Sequence, residues 1–211
     1  AQSYARAFDG CDSVHVHAVC DVRESAARAL AERLDCPAFG DVGELLDTAS
    51  GDGVLICTPP NTHDSIALAA IARGRHVLCE KPFALSSDPA REVLAAGTAA
   101  GVVVSMCSKF RYVPDVIWAR SLVASGALGD LVFFANTFSS HVDMSTRWNA
   151  RPEVSGGGVI IDNGTHSVDL FRLLVGPIEQ VHAVDAKKIQ KLVVEDSALL
   201  CVRTPDGIVG K

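Results

Sequence analysis

Between residues 14 and 108, short apolar runs alternate with amphipathic ones, and this alternation limits the fold more than any other feature of the chain. VHVHAVCD (14–21), GVLICTPP (53–60), HVLCEKP (76–82) and VVVSMC (102–107) are short, rich in Val, Ile and Leu, and bounded by turn residues. Between them lie RESAARALAERL, with Ala26, Leu30 and Leu34 four apart, then DSIALAAIARG and DPAREVLAAGTAAG. Such spacing puts apolar residues on one helix face. Asn61 or Thr62 is positioned to cap the second helix, and Gly74 to end it. Apolar strands separated by helices of this length build βαβ units around a parallel sheet.

After about Ser108 the rhythm changes. A helix over DVIWARSLVASG precedes a long strand candidate, DLVFFANTFSS, and a polar loop holding Trp148. The run GGGVIIDNGTHSVDL (156–170) reads as a helix, and strand-like runs follow near 179–186, 192–203 and 208–211. Strands in direct succession favour a mixed or antiparallel sheet. The expected fold is α/β: an incomplete Rossmann-type, doubly wound parallel sheet over 1–108, then an incomplete α+β domain with a mixed or antiparallel sheet over 109–211. Both ends look cut. Ala1 falls inside a helical pattern, and the chain stops at Lys211 just after the hairpin signal TPDGIVG.

Charge and composition narrow the function classes. A net charge of −6 and the lack of any basic-aromatic patch give no footing for nucleic acid or an anionic membrane. No apolar segment is long enough to span a bilayer, and no signal-peptide pattern opens the chain. The seven cysteines are an odd number without paired metal spacing, so reduced thiols in a cytoplasmic protein are expected, and no metal site.

Four constellations carry chemistry. Asp21 ends a strand ahead of a helix, where a carboxylate either accepts hydrogen bonds from a ribose or caps that helix. CTPPNTH (57–63) sets a polar turn at a strand's C-terminal end, the side on which open α/β sheets bind ligands; a capped, proline-stopped strand reads the same way. In CEKPFA, Glu80 and Lys81 follow a buried strand directly, with Pro82 beyond them. A lysine held there in a partly desolvated cleft has a lowered pKa suited to proton transfer, while a surface ion pair is the plainer alternative. On a helix, Asp162, His166 and Asp169 fall at i, i+4 and i+7 on one face. That places a carboxylate one turn before an imidazole, as a supported base needs, although a histidine on an apolar helix also serves as a core residue. The preceding glycines allow a backbone or a ligand to come close.

Taken in order, CDVRESAARALAERL, VLICTPPNTH, GRHVLCEKPFA, SKFRYVPD, GGGVIIDNGTHSVDLFRLLVGPI and VEDSALLCVRTPDGIVG resemble the Gfo/Idh/MocA family of nicotinamide-dependent oxidoreductases, over nearly the whole chain. The resemblance implies hydride transfer between a nicotinamide cofactor and a secondary alcohol or ketone of a sugar, cyclitol or related molecule. It implies Lys81, Asp162 and His166 as catalytic residues that also touch substrate, with Arg111 and Trp148 in the substrate pocket. Asp21, Thr58, Pro59, Asn61, His63, Glu80 and Lys81 would contact the cofactor, and the acidic Asp21 favours NAD over NADP. The first strand and glycine-rich phosphate loop of that family are expected to be missing, as is the end of the second domain. A homo-oligomer is implied for the full-length protein. An NAD-dependent glycosidase of the same family and a non-catalytic dinucleotide- or sugar-binding regulator remain alternatives.

Overall fold

In the computed structural model, which describes residues 1–211, the chain divides into two compact units. The first comprises 1–58, 62–80 and 88–105, and the second 59–61, 81–87 and 106–211. The turn after one strand and the Lys81–Ser87 segment therefore belong with the later residues.

The first unit starts with helix α1 (Gln2–Phe8) and strand β1 (Val19–Cys20), then α2 (Glu24–Leu34), β2 (Ala38–Phe39), α3 (Val42–Thr48) and β3 (Gly53–Ile56). It continues through α4 (His63–Ile71), β4 (His76–Cys79), α5 (Ser87–Ala100) and β5 (Val104–Met106). β1 and β2 pair in parallel; β3, β4 and β5 form a second sheet in that order, with β3 and β4 parallel from Gly53↔His76 to Ile56↔Cys79. The parallel arrangement expected from the alternating runs is present. In α2 the buried residues are Ala27, Leu30 and Ala31, an i, i+3, i+4 stripe, and Asp35 ends the helix in the left-handed region at φ 51°. Ile56, Val77 and Cys79 are each at most 2% exposed, and burying an Ile or Val side chain contributes about 1.5–3 kcal/mol.

The valine- and histidine-rich run before Asp21 is mostly not strand, because β2 offers β1 a ladder of only two residues. Thr62 stands at the N-cap of α4 without a capping bond; its hydroxyl donates to Thr58 Oγ1 at 2.8 Å instead.

The second unit contains α6 (Pro114–Ala124), started by a proline at its first position, then β6 (Phe133–Phe134) and the short helix α7 (Pro152–Ser155). A π-helical turn, Ile160–Gly164, leads into α8 (Thr165–Leu174). β7 (Gln180–Asp185), β8 (Ala198–Arg203) and β9 (Val209–Gly210) complete a sheet ordered β6-β9-β8-β7. β7–β8 and β8–β9 are antiparallel and β6–β9 is parallel, which makes the sheet mixed. The long strand expected over 130–140 shortens to β6, since β9 pairs with it only at Phe133 and Phe134.

The glycine run is explained by packing. Gly156 ends α7 in the left-handed region at φ 79°, and a Cβ on Gly158 would lie 1.9 Å from the carbonyl oxygen of Glu195. Glu195 also satisfies three successive N–H groups at the start of the helical segment. Its carboxylate accepts from Gly158 N at 3.0 Å and Ile160 N at 2.9 Å, and its carbonyl from Val159 N at 2.9 Å. Helix starts leave such donors without intrahelical partners, and here a residue 37 positions away in sequence supplies the acceptors.

Gly158→Ala is therefore expected to destabilise the chain by about 2 kcal/mol or more, because backbone must move to admit the methyl group. Urea unfolding measures this, and a loss below about 0.5 kcal/mol, the range of neutral surface changes, would contradict the close approach.

Candidate active site

Within the second unit, three elements bring their polar side chains together. Lys81 lies just after β4, and its peptide bond to Pro82 is cis. Its ammonium pairs with Asp162 Oδ1 and donates to the carbonyl oxygen of Asp162 at 3.1 Å. Both side chains are about one-fifth exposed, so the ion pair is largely shielded from water. Asn149, in the 3-10 turn Trp148–Ala150, completes the group: its Nδ2 donates to Asp162 Oδ2 at 3.2 Å. A carboxylate only accepts, so the amide nitrogen of Asn149 must face it. The carboxamide oxygen is left buried without a hydrogen-bond partner, at a cost of about 1–3 kcal/mol.

His166 stands apart from this group in hydrogen bonding. It is 5% exposed on α8, with its ring T-shaped to that of Phe110 (centroids 4.9 Å apart, planes at 86°) and with Phe138 6.2 Å away. Burial, then the charges of Lys81 and Lys109, push the imidazole below its ordinary value of 6.5; Asp162 and Asp169 pull the other way without prevailing. This is a neutral imidazole in an aromatic enclosure.

The expected one-face arrangement of Asp162, His166 and Asp169 is divided among three partners. Asp162 sits in the π turn and gives its oxygens to Lys81 and Asn149, while Asp169 takes the guanidinium of Arg111, whose Nε is 2.9 Å from both carboxylate oxygens. Asp162 thus acts on the imidazole through its field and not through a hydrogen bond. Lys81 combines the two sequence alternatives: it has a carboxylate partner, and the ion pair is largely shielded instead of lying at the surface. Arg111 is exposed though anchored, and Trp148 is 36% exposed. A cleft of about 600 Å³ in the same unit is walled by Met106, Ile161, Val168, Asp169, Glu195 and Leu200 among others, but by neither Lys81 nor His166.

In the first unit, Asp21 follows β1, its N–H bonded to Phe39 O at 3.2 Å. Burial works against its charge, yet hydrogen bonds from the Arg23 N–H and guanidinium outweigh it and hold the carboxyl below its usual value. An anionic acceptor at a strand end fits the hydroxyl donors of a ribose. Thr58 is exposed beyond β3, and Glu80 follows β4, where its carboxylate accepts the Tyr4 hydroxyl at 2.7 Å. His63 lies beneath the turn: it is 1% exposed, with Nε2 2.8 Å from Thr58 O, and so supports the turn instead of lining its surface. In the second unit, Pro59 and Asn61 are exposed.

Asn149, Glu195 and the two phenylalanines escaped the sequence reading. Nothing in local spacing links Glu195 to Gly158; only the acid at the head of VEDSALL, inside the family-like segment, hinted at a role.

Parallel strands ending in polar turns, with an acid after the first, define a dinucleotide-binding class of fold. Residues 1–108 match the model described as "Oxidoreductase family, NAD-binding Rossmann fold", and residues 116–211 the "GFO/IDH/MocA C-terminal domain". The chain belongs to the Gfo/Idh/MocA family. It is 31% identical over 183 residues to the D-glucoside 3-dehydrogenase of Escherichia coli (strain K12), covering 85% of this chain and 52% of that protein. It is 35% identical over 168 residues to D-xylose 1-dehydrogenase (NADP(+)) 2 of Haloferax volcanii, covering 79% and 51%. Among solved structures, GenD2 from gentamicin A biosynthesis in complex with NAD superposes with a TM-score of 0.87 at 30% identity, covering 98% of this chain and 60% of that one. The chain spans about half the length of the curated relatives it matches.

The lowered His166 value has a consequence for stability. The unfolded chain takes up a proton at this residue from about pH 6.5 downward, and the folded chain only at lower pH. Stability from the neutral form is full above 6.5 and declines as pH falls toward the folded value. Unfolding free energy measured from pH 7.5 to 5 should fall more steeply for the wild type than for His166→Gln; superimposable curves would contradict the lowered value.

Proposed function

We propose that the protein is an oxidoreductase that moves a hydride between NAD and a carbon bearing a secondary alcohol or ketone in a sugar, cyclitol or sugar derivative. The observation that carries this reading is the grouping, in one unit, of a cationic lysine, its carboxylate partner and a buried neutral histidine. The sugar-acting names of the relatives support the substrate class.

In the direction of alcohol oxidation, His166 takes the hydroxyl proton, a role its neutral imidazole suits at neutral pH. Lys81 directs its ammonium at the same oxygen and stabilises the charge that develops there. Asp162 holds that ammonium in place, and its field tempers the positive charge that His166 acquires. Bound NAD supplies the hydride acceptor. Arg111, fixed by Asp169, and Trp148 are the proposed sugar contacts. In the first unit Asp21, Thr58 and Glu80 contact NAD, with His63 supporting the turn; in the second, Pro59, Asn61 and Lys81 do. The charge of Asp21 opposes a 2′-phosphate and so favours NAD over NADP. Seven cysteines outside any disulfide agree with a reducing, cytoplasmic setting, and no helix is long and apolar enough to cross a membrane. A homo-oligomer completes the proposal.

The test is steady-state kinetics of the full-length protein with NAD and a panel of sugars and cyclitols. His166→Asn and Lys81→Met should each lower kcat about 10²–10⁴-fold, the usual contribution of acid–base groups, with NADH affinity by fluorescence nearly unchanged in His166→Asn. Turnover within tenfold of wild type in either variant would defeat the role given to that residue.

A further inference from the structure

We propose that Asn149 is a positioning residue: its carboxamide keeps the Asp162 carboxylate on Lys81 and off the imidazole of His166. This deepens the proposed function and rests on its assignment of His166 as the base.

Three observations support the proposal. Asn149 is 3% exposed, so its amide meets the chain and not water. Its Nδ2 donates to Asp162 Oδ2, the oxygen that Lys81 leaves open. Its own Oδ1 has no partner, although it is buried. A residue kept for packing alone would bury an apolar side chain here without leaving an unpaired acceptor. The one bond the carboxamide makes is with a group of the candidate site.

Geometry shows what the bond prevents. Asp162 precedes His166 by four residues across the junction of the π turn and α8, a spacing that puts their side chains on neighbouring parts of one surface. With Oδ2 free, the carboxylate becomes an acceptor for a ring N–H of His166. The charged groups acting on that ring are Lys81 after β4, Lys109 in the Lys109–Tyr112 turn, Asp162 in the π turn and Asp169 on α8. Lys109 lies over Phe110 and Asp169 is held by Arg111, both away from Asn149, so the position of Asp162, with the ammonium it holds, is the variable. A carboxylate bonded to the ring favours imidazolium and so raises the pH at which the base is already protonated before substrate arrives.

The test is NMR titration of the His166 imidazole nitrogens in the full chain, comparing wild type, Asn149→Ala and Asn149→Ser. The expected result is a His166 pKa at least half a unit higher in Asn149→Ala, with a smaller rise in Asn149→Ser, whose hydroxyl restores a donor. In the wild type, the imidazole should show no strongly downfield N–H signal of the kind a carboxylate partner produces. An unchanged pKa in a folded Asn149→Ala chain, or such a signal in the wild type, would overturn the proposal; if both variants unfold, the wild-type spectrum decides. The titration needs neither cofactor nor turnover. Loss of the oxidoreductase reading would therefore leave this result standing, and the converse also holds.

Discussion

The hold of Glu195 on the glycine run organises the second unit. One residue accepts from Gly158, Val159 and Ile160, and its carbonyl lies where a side chain on Gly158 would be. Donors at a helix start need acceptors, and a carboxylate also answers the positive end of the helix dipole. The start of the helical segment is fixed by this contact, and so is the position of the π turn that carries Asp162. From that turn Asp162 meets Lys81, and one turn onward His166 enters its aromatic enclosure.

The charges are separated in a way that suits the proposed chemistry. Each acid in the helical segment has a cation of its own: Asp162 has Lys81, and Asp169 has Arg111. The imidazole between them in sequence has its basicity lowered and stands T-shaped to Phe110. A base bonded to a carboxylate takes up its proton at higher pH than one that is not. One whose neighbouring acids are otherwise engaged is free to accept one. The isolated carboxamide oxygen of Asn149 belongs to the same arrangement, because the amide can face only one way toward a carboxylate.

The first unit makes its own contribution. Its parallel strands end in Asp21, the Thr58 turn and Glu80, and a fully buried His63 supports that turn from below. Membership of the Gfo/Idh/MocA family agrees with both units, since one model covers 1–108 and the other 116–211.

Much was legible in the residues themselves. Local periodicity revealed the parallel βαβ region and the mixed sheet, because burial on one face imposes a repeat of two or about 3.6 on any strand or helix. The order of EKP and DNGTHSVD marked Lys81, Asp162 and His166 as candidates. Strand lengths were not legible, since β1 and β6 extend only as far as β2 and β9 pair with them. Nor was the choice of partner for each acid. Spacing assigned Asp162 to His166, four residues on, whereas the folded chain brings Lys81 and Asn149 to it from 81 and 13 residues away. Spacing along one helix is a property of the chain. Which cation or amide reaches a carboxylate first depends on the packing of distant segments, and only the tertiary structure decides that.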